Sequence, residues 1–486
     1  MIPALAISVL AVLAFGAGLW QTGIAAAARA LLGETQAGVA AMTDRELDDD
    51  AKERAVRRAG VRLIMGAFGL AWRIALALGA AAVPILLADA VGLVPADRVL
   101  GLMVRWDFIV GISLAVIGLG AVLRRRAADG ATGPATTRSY SAGDRIVHNL
   151  AFSAPVVLRT AGRAEDRLVR APDPGDGQAP ILVTSLARGG TTALLGALHA
   201  VPGIATHLYR DMPFLTAPVL WDRLSGGKRR RVTRHQRAHG DGLEIDLDTP
   251  EAFEEVLWQM HWPGKYGDSG IALWDAGDRD ARAEAALRHH MARVVCARRL
   301  QGGAARRYCS KNNANIARLP FLAQAFPDAR VVVPLRRPVA HATSLLRQHR
   351  NFLDQHARDP FVRRYMRDIG HFEFGQIHKP LRFPGMDEPG RDPATPDYWL
   401  AYWIAAFRHV ADHAGTCEIV LQDDLRANPG RTMARLCTAL DLDPGDTAFE
   451  GRFHSAPDRA DASPFDAALR REAETLYDHL ASRAIG

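Results

Sequence analysis

The sequence predicts a three-layer α/β domain around a mostly parallel central sheet, preceded by transmembrane helices. Short apolar runs alternate with helical patterns from about residue 180 onward, the order of a parallel sheet covered on both faces. One of these runs, Ile181 to Val183, leads into the glycine turn Arg188-Gly-Gly-Thr-Thr192 and then a helix-forming stretch. Upstream, three apolar stretches fall within the first 126 residues. Three in one block read as a membrane region rather than as a buried hairpin of a soluble protein.

Composition bounds the partners. At 486 residues, with 48% hydrophobic and 23% charged content, the chain is not of disordered type. A formal charge of +7 and a pI near 9.5 favour anionic partners: a nucleotide, acidic lipid or an anionic acceptor. No nucleic-acid recognition module is seen, so nucleic acid is not expected. Cys296, Cys309, Cys417 and Cys437 are scattered without a C-x-x-C pair, which argues against a zinc site or disulfide framework and suits a reducing compartment.

Taken in order, residues 1–31 form a first transmembrane helix and its flank, because Ile2 to Trp20 carries no charge. Its start lacks the basic residues of a secretory signal, so it reads as a retained anchor. Residues 32–62 form a charged cytoplasmic helix or loop, with Asp48-Asp-Asp50 followed by Lys52, Arg54, Arg57, Arg58 and Arg62. Residues 63–126 hold two more spans, Leu63 to Leu87 and Phe108 to Leu123. Arg73 interrupts the former and is expected to snorkel to the interface. Arg124-Arg-Arg126 and the basic end of the first loop mark the cytoplasmic side. The expectation is a multi-pass protein of a bacterial-type inner membrane, with the C-terminal domain in the cytoplasm.

Residues 127–178 are a linker and lead-in, opening on Ala127-Ala-Asp-Gly-Ala-Thr-Gly-Pro. An amphipathic stretch is expected from about Ser141. Residues 179–486 form the α/β domain. Beyond the first strand, Ile204 to Leu208, Arg307 to Ser310, Arg330 to Leu335 and Glu418 to Leu421 read as strands. Helical patterns cover Pro250 to Met260, Asp280 to Leu300, Leu319 to Ala325, Pro338 to Gln348, Pro396 to His413 and Arg431 to Leu440. Ligands of such sheets bind beyond the carboxyl ends of the strands.

The glycine turn sits at one such end. Gly189 and Gly190 remove the Cβ atoms that would block an oxyanion, and consecutive N–H groups then converge on it. The helix start adds partial positive charge, while Arg188, Thr191 and Thr192 add donors. A phosphate or sulfate belongs here. The loop is P-loop-like without being a Walker A sequence, since no lysine precedes the first threonine. A second strand end delivers Arg336, with Pro338 suited to the first turn of a helix and Ser344 about two turns along. Together Arg336 and Ser344 can hold a second phosphate.

Ala187-Arg-Gly-Gly-Thr-Thr192 resembles the P-R-S-G-T-T loop of sulfotransferases that use 3′-phosphoadenosine 5′-phosphosulfate (PAPS), with Ala187 and Gly189 replacing proline and serine. Arg336-Arg-Pro338 with Ser344 resembles the R-x-P-x-x-x-x-x-S element of that family. Phe326-Pro-Asp-Ala matches the phrase before that strand in bacterial members. Lys311-Asn-Asn313 is similar to their K-[ST/N]-P segment, and Ile419 to Pro429 to the late Y-E-D-L-x-x-x-P segment. The resemblance spans about Pro180 to Leu440 and leans toward the tyrosylprotein and carbohydrate types.

It implies that Arg188, Gly189, Gly190, Thr191 and Thr192 bind the 5′-phosphosulfate of PAPS, and that Arg336 and Ser344 bind the 3′-phosphate. Arg188 and Lys311 would stabilise the transferred group, with no metal. Related enzymes carry glutamates after the loop helix. Here that stretch is Thr206-His207-Leu-Tyr209-Arg210-Asp211, making Asp211 and His207 the nearest bases, with His239 and Asp241 as a further pair. Lys228-Arg-Arg-Arg231, Arg234 and Arg237 read as solvated loop charge. The expected partners are the lipid bilayer, PAPS with its product PAP, and an acceptor left open among lipid, glycan, peptide tyrosine and small alcohol. A P-loop kinase and an inactive PAP-binding membrane scaffold stand as alternatives.

Overall fold

The computed structural model describes residues 2–24, 27, 49–105, 108, 112, 148, 151–152, 155–169, 178–225, 235–236, 244–245, 248–386, 391–453, 461 and 463–485. The chain divides into two compact units, Met1–Thr136 and Thr137–Gly486.

In the first unit, helices α1 (Ile2–Gln21) and α2 (Asp49–Ala90) pack along each other, with α3 (Ala96–Met103) against both. Small residues allow the close approach: a Cβ on Gly18 would lie 2.9 Å from Ala77 Cα. The charged stretch and the apolar stretch that follows form one continuous helix, α2. Arg73 donates to Thr22 O at 3.0 Å and to Gly69 O at 2.9 Å. Its guanidinium thus meets one carbonyl at the C-terminal end of α1, where a cation is favourable, and one in the preceding turn of α2.

Among the described residues, Met65–Ala90 is the helical segment long and apolar enough to cross a bilayer, with a mean hydropathy of 2.0 over 26 residues. Pro3–Leu19 is apolar but shorter. Most of the third stretch, and Arg124 to Arg126, lie outside the described residues.

The second unit holds α4 (Pro155–Leu168), β1 (Gln178–Val183), α5 (Thr191–His199), β2 (Ile204–Ala205), α6 (Pro218–Ser225), β3 (His235–Gln236), β4 (Glu244–Ile245), α7 (Glu255–His261) and α8 (Ala281–Leu300). There follow β5 (Arg307–Lys311), α9 (Leu319–Ala325), β6 (Arg330–Leu335), α10 (Pro338–Arg358), α11 (Pro360–Asp368), α12 (Pro396–Asp412), β7 (Glu418–Leu421), α13 (Gln422–Ala427), α14 (Pro429–Ala439) and α15 (Ala467–Ala481). Five strands make one parallel sheet in the order β2-β5-β1-β6-β7, while β3 and β4 pair as a separate ribbon. β1 lies between β5 and β6, so the sheet order reverses at its carboxyl end. That is where a crevice for ligand opens in this architecture.

Strand periodicity of two sorts the core into the two faces. Ile181, Val183, Cys309, Val332 and Val420 face α5 and α14, packing with Leu194, Leu198, Met433 and Leu436. Leu182, Tyr308, Val331, Val333 and Ile419 face the larger layer, built on Trp258, Val294, Leu345, Trp403 and Leu480. β6 and β7 have the predicted bounds. β2 is shorter than predicted because Leu208 leaves the sheet to bridge antiparallel to Pro250. α10 runs a further ten residues past Gln348, its buried face continued by His349, Phe352 and His356. The lead-in helix α4 packs onto this unit: Thr216 Oγ1 donates to Leu158 O at 2.6 Å, and Leu220 N–H to Glu165 Oε2 at 2.8 Å.

Buried histidines give the fold a pH dependence. Burial, reinforced by His349, lowers His378 to about 4, and burial beside His413 does the same to His409. A lowered histidine binds its proton in the unfolded chain near the ordinary 6.5 but resists it when folded, so stability falls with pH below 6.5 and levels off under about 4. The melting temperature should therefore drop across that window, and less so in His378→Asn. An identical pH slope in that variant would remove His378 from this account.

Candidate active site

The loop after β1 is held in place by a hydrogen bond to β6 and by a turn of its own. Thr184 N–H donates to Val332 O at 2.9 Å, and Gly189 N–H to Leu186 O at 3.1 Å. Arg188 takes a left-handed φ of 69° and Gly190 a φ of 97°. These two turns fold the chain tightly ahead of α5. A Cβ at Gly189 would lie 2.7 Å from Ser185 Oγ and 2.9 Å from Leu186 O, and one at Gly190 would lie 2.8 Å from Gln422 Nε2. Neither position tolerates a side chain without local displacement. The first-turn N–H groups of α5 have no intrahelical acceptor. Beside them, the buried Ser185 hydroxyl lacks a hydrogen-bond partner among the described residues.

The ends of β5 and β6 bring the other two segments to this loop. Lys311 Nζ donates to Thr192 Oγ1 at 3.0 Å and lies 3.5 Å from Glu251 Oε1. Asn313 Oδ1 accepts from Thr191 Oγ1 at 3.2 Å. Arg336 Nη1 donates to Arg188 O at 2.8 Å, and Arg188 Nε to Ser344 Oγ at 3.2 Å. His341, one turn into α10, holds Ala187 O at 2.8 Å. Every position from Arg188 to Thr192, with Lys311, Arg336 and Ser344, therefore belongs to one constellation. The Arg188 guanidinium reaches toward the Arg336 and Ser344 side of it.

The segment carrying Lys311 to Asn315 is anchored by a buried ion pair. Arg318 binds both oxygens of Glu255 at 2.8 Å and stacks on Trp258 and Trp274, 4.3 and 4.2 Å from their ring centroids. Glu255 also accepts from Asn312 Nδ2 at 2.8 Å and Tyr266 Oη at 2.6 Å. That carboxylate is saturated and structural.

Residues 180–379 match the model of the sulfotransferase family. Among curated proteins none matches by sequence. Solved structures similar to the chain include sulfotransferase STF1 from Mycobacterium tuberculosis, at 17% identity and a TM-score of 0.35, covering 67% of this chain and 84% of that one. Sulfotransferase STF9 from Mycobacterium avium aligns at 13% identity and a TM-score of 0.37, covering 71% and 79%. A sulfotransferase from Alicyclobacillus acidocaldarius aligns at 13% and 0.30, covering 63% and 94%.

Within the α/β domain, Asp211 and His207 sit in a closed cluster. Asp211, 1% exposed, bonds Arg298 and accepts from Leu208 N–H at 2.9 Å. His207 Nδ1 lies 3.5 Å from Asp211 Oδ2, and its Nε2 is 2.8 Å from His290 Nε2. Burial alone would raise the Asp211 carboxyl. Arg298, His207 and the Leu208 N–H together outweigh it and hold the carboxyl below its usual value. Burial and the neighbouring His207 push His290 well below the ordinary histidine range. His239, Asp241, Lys228 to Arg231, Arg234 and Arg237 fall outside the described residues.

A pocket opens beside the loop, lined by Leu186, Ala187, Asn313, Glu373, Trp399 and Tyr402 among others. Glu373 is a residue that sequence reasoning missed. It lies in the irregular stretch after α11, and its carboxylate accepts from Asn313 Nδ2 at 2.8 Å. No motif marks it; only its spatial position beside Asn313 does. Among the described residues no group of His, Cys, Asp or Glu is arranged to hold a metal ion.

Proposed function

We propose that the chain is a PAPS-dependent sulfotransferase anchored to a membrane, with its α/β domain in the cytoplasm. The observation that carries this reading is the convergence of Lys311, Arg336, Ser344 and the Arg188–Thr192 loop on one glycine cradle. The tight turn at Arg188 and Gly190 and the unpartnered Ser185 hydroxyl suit a tetrahedral anion at the start of α5. Arg336 and Ser344 provide a second anion position, and Arg188 spans the two.

When bound, PAPS supplies an activated sulfuryl group. The chain's residues then orient and stabilise it. The loop N–H groups with Thr191 and Thr192 would hold the anion, and Lys311, bonded to Thr192, would stabilise the charge that develops on the leaving group. Asp211 and His207 enter this reading as positioning residues, since their buried pairing with Arg298 and His290 fixes the chain after β2.

Membrane anchoring rests on α2. Phe68, Trp72, Leu86 and Leu87 are each 60% exposed or more on a helix that is long enough to span, and an apolar surface of that kind needs apolar surroundings.

Two anion positions make the 3′-phosphate diagnostic. PAP should raise the melting temperature of the detergent-solubilised protein more than AMP or ATP does, and Arg336→Ala should erase the difference between PAP and AMP. Equal shifts from PAP and AMP in the wild type would sink this donor assignment.

A further inference from the structure

The pocket beside the phosphate loop contains two glutamates, Glu255 and Glu373. Glu255 is bound to Arg318 through both oxygens and has no capacity left for a substrate proton. Glu373 differs. Its side chain is 27% exposed, with His371 Nδ1 at 3.8 Å from Oε2 and Asn313 Nδ2 at 2.8 Å from Oε1. Asn313 in turn accepts from Thr191 in the loop. One amide side chain therefore joins the Glu373 carboxylate to the anion cradle.

Of the other polar groups lining the pocket, His371 is buried, and its Nε2 is engaged with Ala252 O at 3.1 Å. The Tyr402 hydroxyl accepts the Leu381 N–H at 2.9 Å, and burial raises its pKa far above the ordinary tyrosine value. Lys379 donates to Gly267 O at 2.7 Å at the exposed rim. The remaining walls are chiefly apolar, with Ile271, Leu345, Phe372, Leu381 and Trp399. A sugar placed there would press several hydroxyls against carbon surface, each costing on the order of 1–3 kcal/mol if left unbonded. A single hydroxyl on an aromatic or alkyl body would meet the carboxylate with its polar end and the walls with the rest.

We infer that Glu373 is the general base and that this pocket takes an arenol or alkanol as the sulfate acceptor. The inference rests on the sulfotransferase reading above. The acceptor oxygen forms a bond to sulfur as its proton passes to the Glu373 carboxylate. The bond from sulfur to the bridging oxygen breaks, and its electron pair leaves on the 5′-phosphate of PAP, beside Lys311. The products are a sulfate monoester, PAP and a protonated Glu373 that returns its proton to water.

The experiment uses full-length protein in detergent, labelled PAPS, and 2-naphthol against N-acetylglucosamine as acceptors. The wild type should sulfate 2-naphthol and leave the sugar unlabelled. Glu373→Gln should cut kcat about 10²-fold or more while keeping the wild-type melting temperature and the PAP-induced shift. The acid limb of the wild-type kcat profile should disappear in that variant, a change that a purely structural role would not produce. Transfer by Glu373→Gln at the wild-type rate overturns the base assignment. Labelling of the sugar alone, or no binding of 2-naphthol to PAP-loaded protein, overturns the acceptor class. A wild type that shows no preference for PAP over AMP overturns the donor reading instead, which separates the two failures.

Discussion

Arg298→Ala should destabilise the protein by about 3–5 kcal/mol, because it leaves the Asp211 carboxylate buried and uncompensated. At a few degrees per kcal/mol this is a loss of about 10 °C in melting temperature. Both partners are nearly enclosed, at 7% and 1% exposure, so water cannot replace the lost guanidinium. Asp211→Ala should cost a comparable amount by stranding Arg298. The double variant should be clearly less damaged than the sum of the two, since it removes both charges together. Simple additivity in that cycle would show the pair to be uncoupled. The pair also has a pH signature. Its stabilisation is complete above the usual carboxylate range and is lost as pH falls through the depressed Asp211 value.

The same pair shows where sequence reasoning stops. Asp211 follows β2 close to the sheet edge, and its position after the loop helix suggested a base. Its partner Arg298 stands 87 residues later, near the end of α8. Nothing in the local sequence announces an ion pair closed across that distance. Glu373 was invisible for a related reason. His371-Phe-Glu-Phe-Gly375 carries neither helical nor strand periodicity, so only the fold brings its carboxylate to Asn313.

Other features were legible because their cause is local. β6 and β7 are continuous apolar runs bounded by turns, and the structure keeps both predicted ranges. Gly189 and Gly190 mark the tight loop, and a Cβ on either would meet the protein's own Ser185 or Gln422. The predicted α8 pattern opens on Asp280, which caps that helix by accepting from Arg282 and Ala283 N–H. Arg73 was harder to place, since a lone cation in an apolar run does not disclose that the end of α1 supplies one of its acceptors.

Lys311 should have the largest effect on chemistry. Its ammonium lies 3.0 Å from Thr192 Oγ1, is 5% exposed and faces Glu251 at 3.5 Å, so a fixed positive charge waits at the cradle. In such a dry site a charge aimed at a developing oxyanion is worth several kcal/mol in the transition state and much less in the ground state. Lys311→Ala should therefore reduce turnover by about 10²–10³-fold and weaken PAP binding far less. The decisive measurement is transfer of label from PAPS to a panel of lipid extract, glycan and phenolic acceptors, comparing wild type with Lys311→Ala. The account predicts a labelled product from the wild type and a loss of that size in the variant. A wild type that binds PAP but labels nothing, or a Lys311→Ala protein that transfers at the wild-type rate, would contradict it.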